Sequence, residues 1–367
     1  MRIVHPMNPA PARMPKSPLP TRLARLARRL VSPQLFDFWA TRINPLWTLE
    51  RPMARLVART PASRDAVTLL FQPNGHWQGL QAGQHVSIGV EIDGRRLLRS
   101  YSPTVLADGR LAITVKAITG GLVSTYLASQ APLGAVVSLD PAFGDMLLPT
   151  TPAPLLMLAA GSGITPMRAL LQAAAAAGMP MDVDLLYWVR QRDEACFLDE
   201  FEALAAAHPR LRVQLLTTRE GAAPAPRIDS FPLEQVTALQ DRHVMACGPG
   251  GFVQAARERL QDRVARFQAE AFSVPALDDG EAGQVQVQLS RSGRTLTLPR
   301  GQSLLEGLEA QGLRPKHGCR MGICNSCACA RQSGTTRHLL TGERSSEPTA
   351  QVRLCISAAS TDLILDL

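Results

Sequence analysis

The sequence predicts a multidomain chain: an antiparallel β-barrel, then an α/β nucleotide domain with a parallel sheet, then a C-terminal β-grasp domain. Three observations predict this. Through the middle of the chain, short apolar runs alternate with helical stretches, the rhythm of βαβ units. Before them, alternating segments are separated by glycines, as in antiparallel barrels and sandwiches. After them, Cys319, Cys324, Cys327 and Cys355 follow the spacing C-x4-C-x2-C and then a distant C, with a hairpin and a short helix in front. A length of 367 residues suits two or three domains. The expected boundaries are a basic N-terminal extension over 1–49, the barrel over 50–151, the nucleotide domain over 152–270, a linker over 271–284 and the C-terminal domain over 285–367.

Residues 1–50 carry eight Lys or Arg against two acids, +6 of the formal +8. The proline-rich residues 1–20 read as disordered. Residues 21–31 read as a short helix with Leu23, Leu26 and Leu30 on one face and Arg22, Arg25 and Arg29 on the other. This segment suits peripheral contact with an anionic membrane; packing on the barrel and a mitochondrial targeting composition are the alternatives. Charge confined to one tail, without a recognition module, argues against nucleic acid. No apolar run reaches the roughly 18 residues of a membrane span.

In the barrel, partial alternation marks strands at 66–70, 84–90 and 111–117, with Gly83, Gly94, Gly109, Gly134 and Gly144 at turns. Two polar spots interrupt it. Arg99, Tyr101 and Ser102 place a cation, a ring and a hydroxyl at a strand end. Gly121, Leu122, Val123 and Ser124 supply a turn, N–H groups and a hydroxyl suited to a phosphate. An arginine on the barrel rim and a helix cap at Ser124 are the plain alternatives.

The nucleotide domain is expected to have strands at 155–160, 183–188, 213–217 and 243–247, and helices at 167–177, 198–207 and 252–261. The first strand runs into Gly161, Gly163, Thr165 and Pro166. Glycines there admit a diphosphate close to the backbone, Thr165 can donate to a phosphate or cap the helix, and the helix N-terminus favours an anion. A second glycine turn at Cys247, Gly248 and Pro249 ends a later strand, and two such ends in one sheet can line one crevice.

The linker contains Pro275, Asp278 and Asp279, a composition that permits domain motion. Beyond it, strands at 285–289 and 295–298 flank a turn at 290–293, a helix spans 303–310, and a last short strand covers 363–365. The four-cysteine spacing is that of plant-type [2Fe-2S] proteins, in which a compact loop wraps the cluster and a distant thiolate completes the set. Zinc, a disulfide and inert thiols compete; zinc usually takes two short Cys hairpins or a histidine. Cys329 is read as a non-ligand, because four thiolates are already present. Cys196 and Cys247 are read as small buried hydrophobes. Seven cysteines without a paired framework, and no apolar secretory segment at the start, indicate a reducing, cytoplasmic compartment.

In this order, these motifs resemble the ferredoxin-NADP reductase superfamily in its fused form, the iron–sulfur flavoprotein reductases that supply oxygenases and desaturases. The resemblance covers roughly residues 50 to 367. It implies a flavin domain in the barrel, with Arg99 on the flavin phosphate and Tyr101 and Ser102 along the isoalloxazine and ribityl. Gly121, Leu122, Val123 and Ser124 become the second phosphate turn, and Gly161, Gly163, Thr165 and Pro166 the nicotinamide nucleotide loop. Cys247, Gly248 and Pro249 then face the nicotinamide, with Ser102 and Cys247 as the catalytic positioning groups, and Cys319, Cys324, Cys327 and Cys355 hold the cluster of a ferredoxin domain. Residues 36–47 resemble a stretch in reductases that serve membrane stearoyl-CoA desaturases, which implies a membrane fatty-acyl desaturase as electron acceptor and FAD as flavin. The alternatives are a reductase for a soluble or aromatic-ring oxygenase, or a redox sensor without turnover. FMN is the alternative flavin, from phthalate-dioxygenase-type reductases. Arg190 and Arg192 after the second strand favour NADPH, while Asp193 favours NADH.

Overall fold

The computed structural model describes residues 32–118, 120–221, 224–272, 283–322, 324–347 and 350–367. The helix expected over 21–31 and most of the linker lie outside the described residues. Helix α1 (Pro33–Ile43) begins at Ser32, whose side chain accepts from the Leu35 N–H at 3.2 Å, with a proline in the first helical position.

Seven strands follow: β1 (Met53–Ser63), β2 (Ala66–Pro73), β3 (Val86–Ile92), β4 (Arg95–Tyr101), β5 (Thr104–Val105), β6 (Leu111–Lys116) and β7 (Val136–Leu139). They form one antiparallel sheet in the order β4-β3-β7-β1-β2-β6-β5, curled so that β4 reaches β6. Leu56, Phe71, Ile88, Leu111, Ile113 and Leu127 fill the curl. The expected strands at 66–70, 84–90 and 111–117 fall within or beside β2, β3 and β6. The sequence reading missed β1, because register shifts at Leu56/Ala58 and Pro61/Ser63 break its alternation. Between β6 and β7 lies the short helix α2 (Leu122–Thr125).

The next unit holds β8 (Leu155–Ala160), α3 (Ile164–Ala176), β9 (Val183–Val189), α4 (Leu198–Ala207), β10 (Leu211–Thr217), β11 (His243–Gly248), α5 (Gly250–Leu260) and β12 (Arg266–Ala271). Its sheet is parallel in the order β10-β9-β8-β11-β12. Every residue of β8 is buried, as in a central strand covered on both faces. The strand order reverses between β8 and β11, which leaves a crevice at their C-terminal ends. Helix α3 starts three residues before the expected 167, since a proline is tolerated in a first turn. Strand β12 escaped the sequence reading: it is an edge strand with only its last residue buried, so it lacks an apolar run.

The C-terminal unit contains β13 (Gln284–Leu289), β14 (Thr295–Pro299), α6 (Leu304–Ala310), β15 (Ala328–Ser333), β16 (Thr336–His338), β17 (Arg344–Ser345), β18 (Gln351–Arg353), β19 (Ser357–Ala359) and β20 (Leu363–Leu365). The main sheet runs β14-β13-β20-β15-β18, with β13 parallel to β20, and a smaller one runs β17-β16-β19. Ser303 caps α6 by accepting from the Glu306 N–H, and Leu304, Leu305 and Leu308 enter the core beside Val287 and Leu365. This is the β-grasp arrangement, with one helix held on a mixed sheet.

Candidate redox and nucleotide sites

Cys319, Cys324 and Cys327 stand in the loop between α6 and β15, and Cys355 in the turn between β18 and β19. The loop curls because Arg320, Gly322 and Asn325 adopt φ of 59°, 74° and 55°, a left-handed conformation that costs a residue with a Cβ. Backbone N–H groups then turn inward: Cys319 donates to Cys324 Sγ at 3.2 Å, Met321 to Cys319 Sγ at 3.3 Å and Cys324 to Cys319 Sγ at 3.4 Å. Cys327 Sγ donates to Cys355 Sγ at 3.3 Å. The thiols thus form two pairs, 319 with 324 and 327 with 355. Hydrogen bonding from the Cys319 side chain and then its backbone holds Cys324 well below the ordinary thiol range, against the opposing effect of burial. Among the described residues no three His, Cys, Asp or Glu converge as a single ion would require. Two close sulfur pairs suit two irons. A Cβ on Gly318 would lie 2.8 Å from Cys324 Sγ, and one on Gly322 2.2 Å from Ile356 Cδ1, so the loop has no room for larger residues there. Cys329 lies in β15 within the core, its thiol donating to Ala330 O at 3.4 Å.

Arg99 and Tyr101 lie at the end of β4, with Ser102 directly after it. Arg99 Nη1 donates to Leu98 O at 2.7 Å. Burial lowers the Arg99 pKa, and the guanidinium of Arg320 in the cysteine loop lowers it further. Burial pushes the Tyr101 hydroxyl up. Ser102 Oγ is buried without a hydrogen-bond partner, an expensive state that a bound ligand would relieve. Ser124 turns back on its own loop: its Oγ donates to Gly121 O at 3.2 Å and accepts from the Ile118 N–H at 3.4 Å. The helix cap considered for Ser124 is thus corrected, because α2 starts from Gly121 without a side-chain cap. Val123 is buried and Leu122 exposed.

The two glycine turns of the nucleotide unit touch. A Cβ on Gly163 would lie 2.0 Å from the Cys247 carbonyl oxygen, and one on Gly248 2.9 Å from Ala160 Cβ. Gly161, at φ 54°, opens the turn into α3, and Pro166 sits in that helix's first turn. Thr165 Oγ1 donates to Ser162 O at 3.1 Å, so it does not cap the helix. Pro249 precedes α5. Cys247 is fully buried, and its thiol pKa rises well above the ordinary value through burial and then the Glu270 carboxylate. Glu270 lies beside Cys247 in the β11/β12 register. Its Oε2 is 3.0 Å from Nε2 of the buried His85 at the start of β3, although neither atom is aligned for a hydrogen bond. Sequence reasoning missed this contact because its members sit on remote strands of different sheets.

Arg190 Nε donates to Glu194 Oε2 at 3.0 Å, which raises its pKa. Arg192 pairs with Glu202 at 3.5 Å, and its N–H donates to Glu220 at 2.7 Å. The buried Glu194 also receives Arg64 at 2.8 Å and Lys116 at 3.4 Å from the barrel. Asp193 is held by Arg64 at 3.0 Å. Arg219, which sequence reasoning overlooked, is exposed just past β10, and its N–H donates to Arg190 O at 2.9 Å. Its signal was a cation directly after the third apolar strand.

Comparison with known families matches residues 53–146 to the oxidoreductase FAD-binding domain, 157–258 to the oxidoreductase NAD-binding domain and 287–360 to the 2Fe-2S iron-sulfur cluster binding domain. An NADPH oxidoreductase of Mycobacterium tuberculosis is 34% identical over 355 residues, 94% of this chain and 92% of that protein. The ferredoxin reductase component of a 3-ketosteroid-9-alpha-monooxygenase from the same species is 34% identical over 269 residues, 69% of this chain and 74% of its own length. Among solved structures, phthalate dioxygenase reductase, described as a modular structure for electron transfer from pyridine nucleotides to [2Fe-2S], superposes with a TM-score of 0.60 at 25% identity, covering 86% of this chain and 97% of that one. Fold and matches together define an NAD(P)H-dependent flavin and iron–sulfur oxidoreductase whose cofactors are FAD, a [2Fe-2S] cluster and NAD(P)H. The chain belongs to the superfamily of ferredoxin-NADP reductase and phthalate dioxygenase reductase, as a reductase fused to a C-terminal ferredoxin domain.

Proposed function

We propose that the protein passes electrons from NADPH through FAD and the [2Fe-2S] cluster to a partner oxygenase or monooxygenase. The observation that carries this reading is the buried, unbonded Ser102 hydroxyl directly after the strand end that bears Arg99 and Tyr101, within a chain that matches all three redox units. FAD takes up the two electrons of a hydride and releases them singly, which a one-electron cluster requires. Arg99 would neutralise a flavin phosphate, the orphan hydroxyl of Ser102 would bond the flavin, and residues 121–124 would line a second phosphate region. Gly161, Gly163, Thr165, Pro166, Gly248 and Pro249 would hold the dinucleotide at the switch point, where the touching turns leave only backbone beside the ligand. Cys247 and Ser102 act as positioning groups, and the sulfur pairs 319/324 and 327/355 would each hold one iron. The boundaries 50–151, 152–270 and 285–367 divide the chain by these tasks.

NADPH is favoured over NADH by Arg190, Arg192 and Arg219 around the ends of β9 and β10, and the similar mycobacterial protein is an NADPH oxidoreductase. An oxygenase acceptor is favoured by the names of the relatives, which include reductase subunits of a 3-ketosteroid and a glycine betaine monooxygenase. No relative reported above carries a desaturase name, so the desaturase expected from residues 36–47 gives way to the oxygenase alternative. Anaerobic stopped-flow absorbance with each coenzyme tests the electron path. Flavin bleaching and then loss of the cluster's visible absorption, faster with NADPH, is expected; a cluster that stays oxidised with both donors refutes it.

A further inference from the structure

Five of the ten large apolar side chains that stand exposed among the described residues fall in one short stretch: Leu35, Phe38, Trp39, Ile43 and Trp47. Four of them, at 35, 38, 39 and 43, share one face of α1 by helical spacing. The opposite face of this helix is the polar one, and it is turned inward. Asp37, only 6% exposed, accepts from the Leu49 N–H at 2.7 Å and from Arg51 Nε at 2.7 Å. Asn44, the residue that ends the helix, accepts from Arg55 Nη2 at 2.9 Å, and Ala40 is buried between them. These bonds fix the rotation of the helix. Turning the apolar face inward would carry Asp37 out to water and leave the Leu49 N–H without its acceptor. The outward face is thus presented, and an exposed aromatic cluster of this kind marks an interaction surface.

Charge says what covers it. Arg42 lies over the rings of Phe38 at 4.1 Å and Trp39 at 5.3 Å, so a guanidinium accompanies the aromatics. Residues 1–31, immediately upstream, contain seven Lys or Arg and no Asp or Glu. Aromatic and aliphatic side chains beside a run of cations match the interface of an anionic bilayer, apolar at depth and negative at the headgroups. No helix among the described residues is long and apolar enough to cross a membrane. We propose that the outward face of α1 is an interfacial anchor that lays the protein on an anionic phospholipid surface, with Phe38, Trp39, Ile43 and Trp47 at the headgroup–acyl boundary and Arg42 on lipid phosphate. This extends the membrane contact suggested by the basic N-terminal segment to described residues, and it holds whichever acceptor the reductase serves.

The four tryptophans provide the test, because Trp39 and Trp47 are exposed while Trp77 and Trp188 are buried. The full-chain holoprotein is mixed with vesicles of phosphatidylcholine alone or with phosphatidylglycerol, some carrying brominated acyl chains. Co-sedimentation with the anionic vesicles only, weakened by salt, and quenching of part of the tryptophan emission by brominated lipid are the expected results. Phe38→Ser should lower the partition coefficient about ten-fold. Leu133→Ser, which removes an exposed leucine from the turn before β7, should leave it unchanged, and both variants should keep the wild-type rate of flavin reduction by NADPH. Failure to bind anionic vesicles overturns the proposal. So does a dimer that dissociates on Phe38→Ser, which would assign the face to a second copy, or emission that is already blue-shifted and responds only to deletion of residues 1–31, which would assign it to the chain's own segment. Slow flavin reduction with intact vesicle binding would count against the proposed electron path and leave the anchor standing.

Discussion

Ser102 and Gly163 are single residues whose surroundings assign them opposite demands. The Ser102 hydroxyl is buried and bonds nothing, so Ser102→Ala should leave the flavin-free protein as stable or more stable by up to about 1 kcal/mol, while slowing flavin reduction about ten-fold or more. Melting of the flavin-free protein together with stopped-flow rates checks both halves; a large loss of stability without flavin would show the hydroxyl to be structural. Gly163 faces backbone, and backbone cannot rotate aside. Gly163→Ala should cost about 1–3 kcal/mol and raise the KM for NADPH by parting the two turns. Unchanged denaturant midpoint and KM would contradict the contact. Cys329 has its own partner in Ala330 O, so Cys329→Ser should keep a full complement of iron, whereas Cys355→Ser should lose it. Iron and sulfide assay of the purified variants distinguishes the two.

At the scale of an element, strand β16 ends on a histidine that the fold keeps neutral. His338 Nδ1 accepts from the N–H groups of Leu340 and Thr341, each at 3.2 Å, and burial followed by the nearby Arg353 guanidinium lowers its pKa below the ordinary 6.5. The unfolded chain takes up this proton near 6.5 and the folded chain only at lower pH. Stability is therefore greatest above that value and falls as pH drops through it toward the folded pKa. His338→Asn retains an acceptor without a titrating ring, so its unfolding free energy should lack this acid-side decline. Parallel pH slopes in the two proteins would remove His338 as the cause.

Across the whole molecule, the barrel and the nucleotide unit are joined by charge as well as apolar packing. Glu194 collects Arg64 and Lys116 from the barrel and Arg190 from its own unit, and the Arg64 N–H donates to Asp193 O at 2.9 Å. The three cations are partly exposed, so Glu194→Gln should cost about 1–3 kcal/mol rather than the full penalty of a dry ion pair. Calorimetry of the variant should show the barrel and nucleotide units melting further apart. A single, unshifted transition would place the interface energy elsewhere.

Elements with a local period were legible in the sequence: β8, β9 and β11 as apolar runs, α4 to the residue, and the Ser303-capped helix of the cluster domain. So was the cysteine spacing, because cluster ligation depends on a short loop whose geometry is set by neighbouring residues. The edge strand β12, the bulged β1 and the helix α1 were not, since each is stabilised by partners rather than by its own pattern. Tertiary structure alone decided that Gly163 meets Cys247, that Glu270 stands by His85, that Glu194 takes up Arg64 and Lys116, and that α1 turns its polar face inward. Those outcomes depend on which distant groups are brought together and which face is buried. Composition and periodicity, being local, carry the elements; the pairing of charges and the direction of a face emerge only when the elements pack.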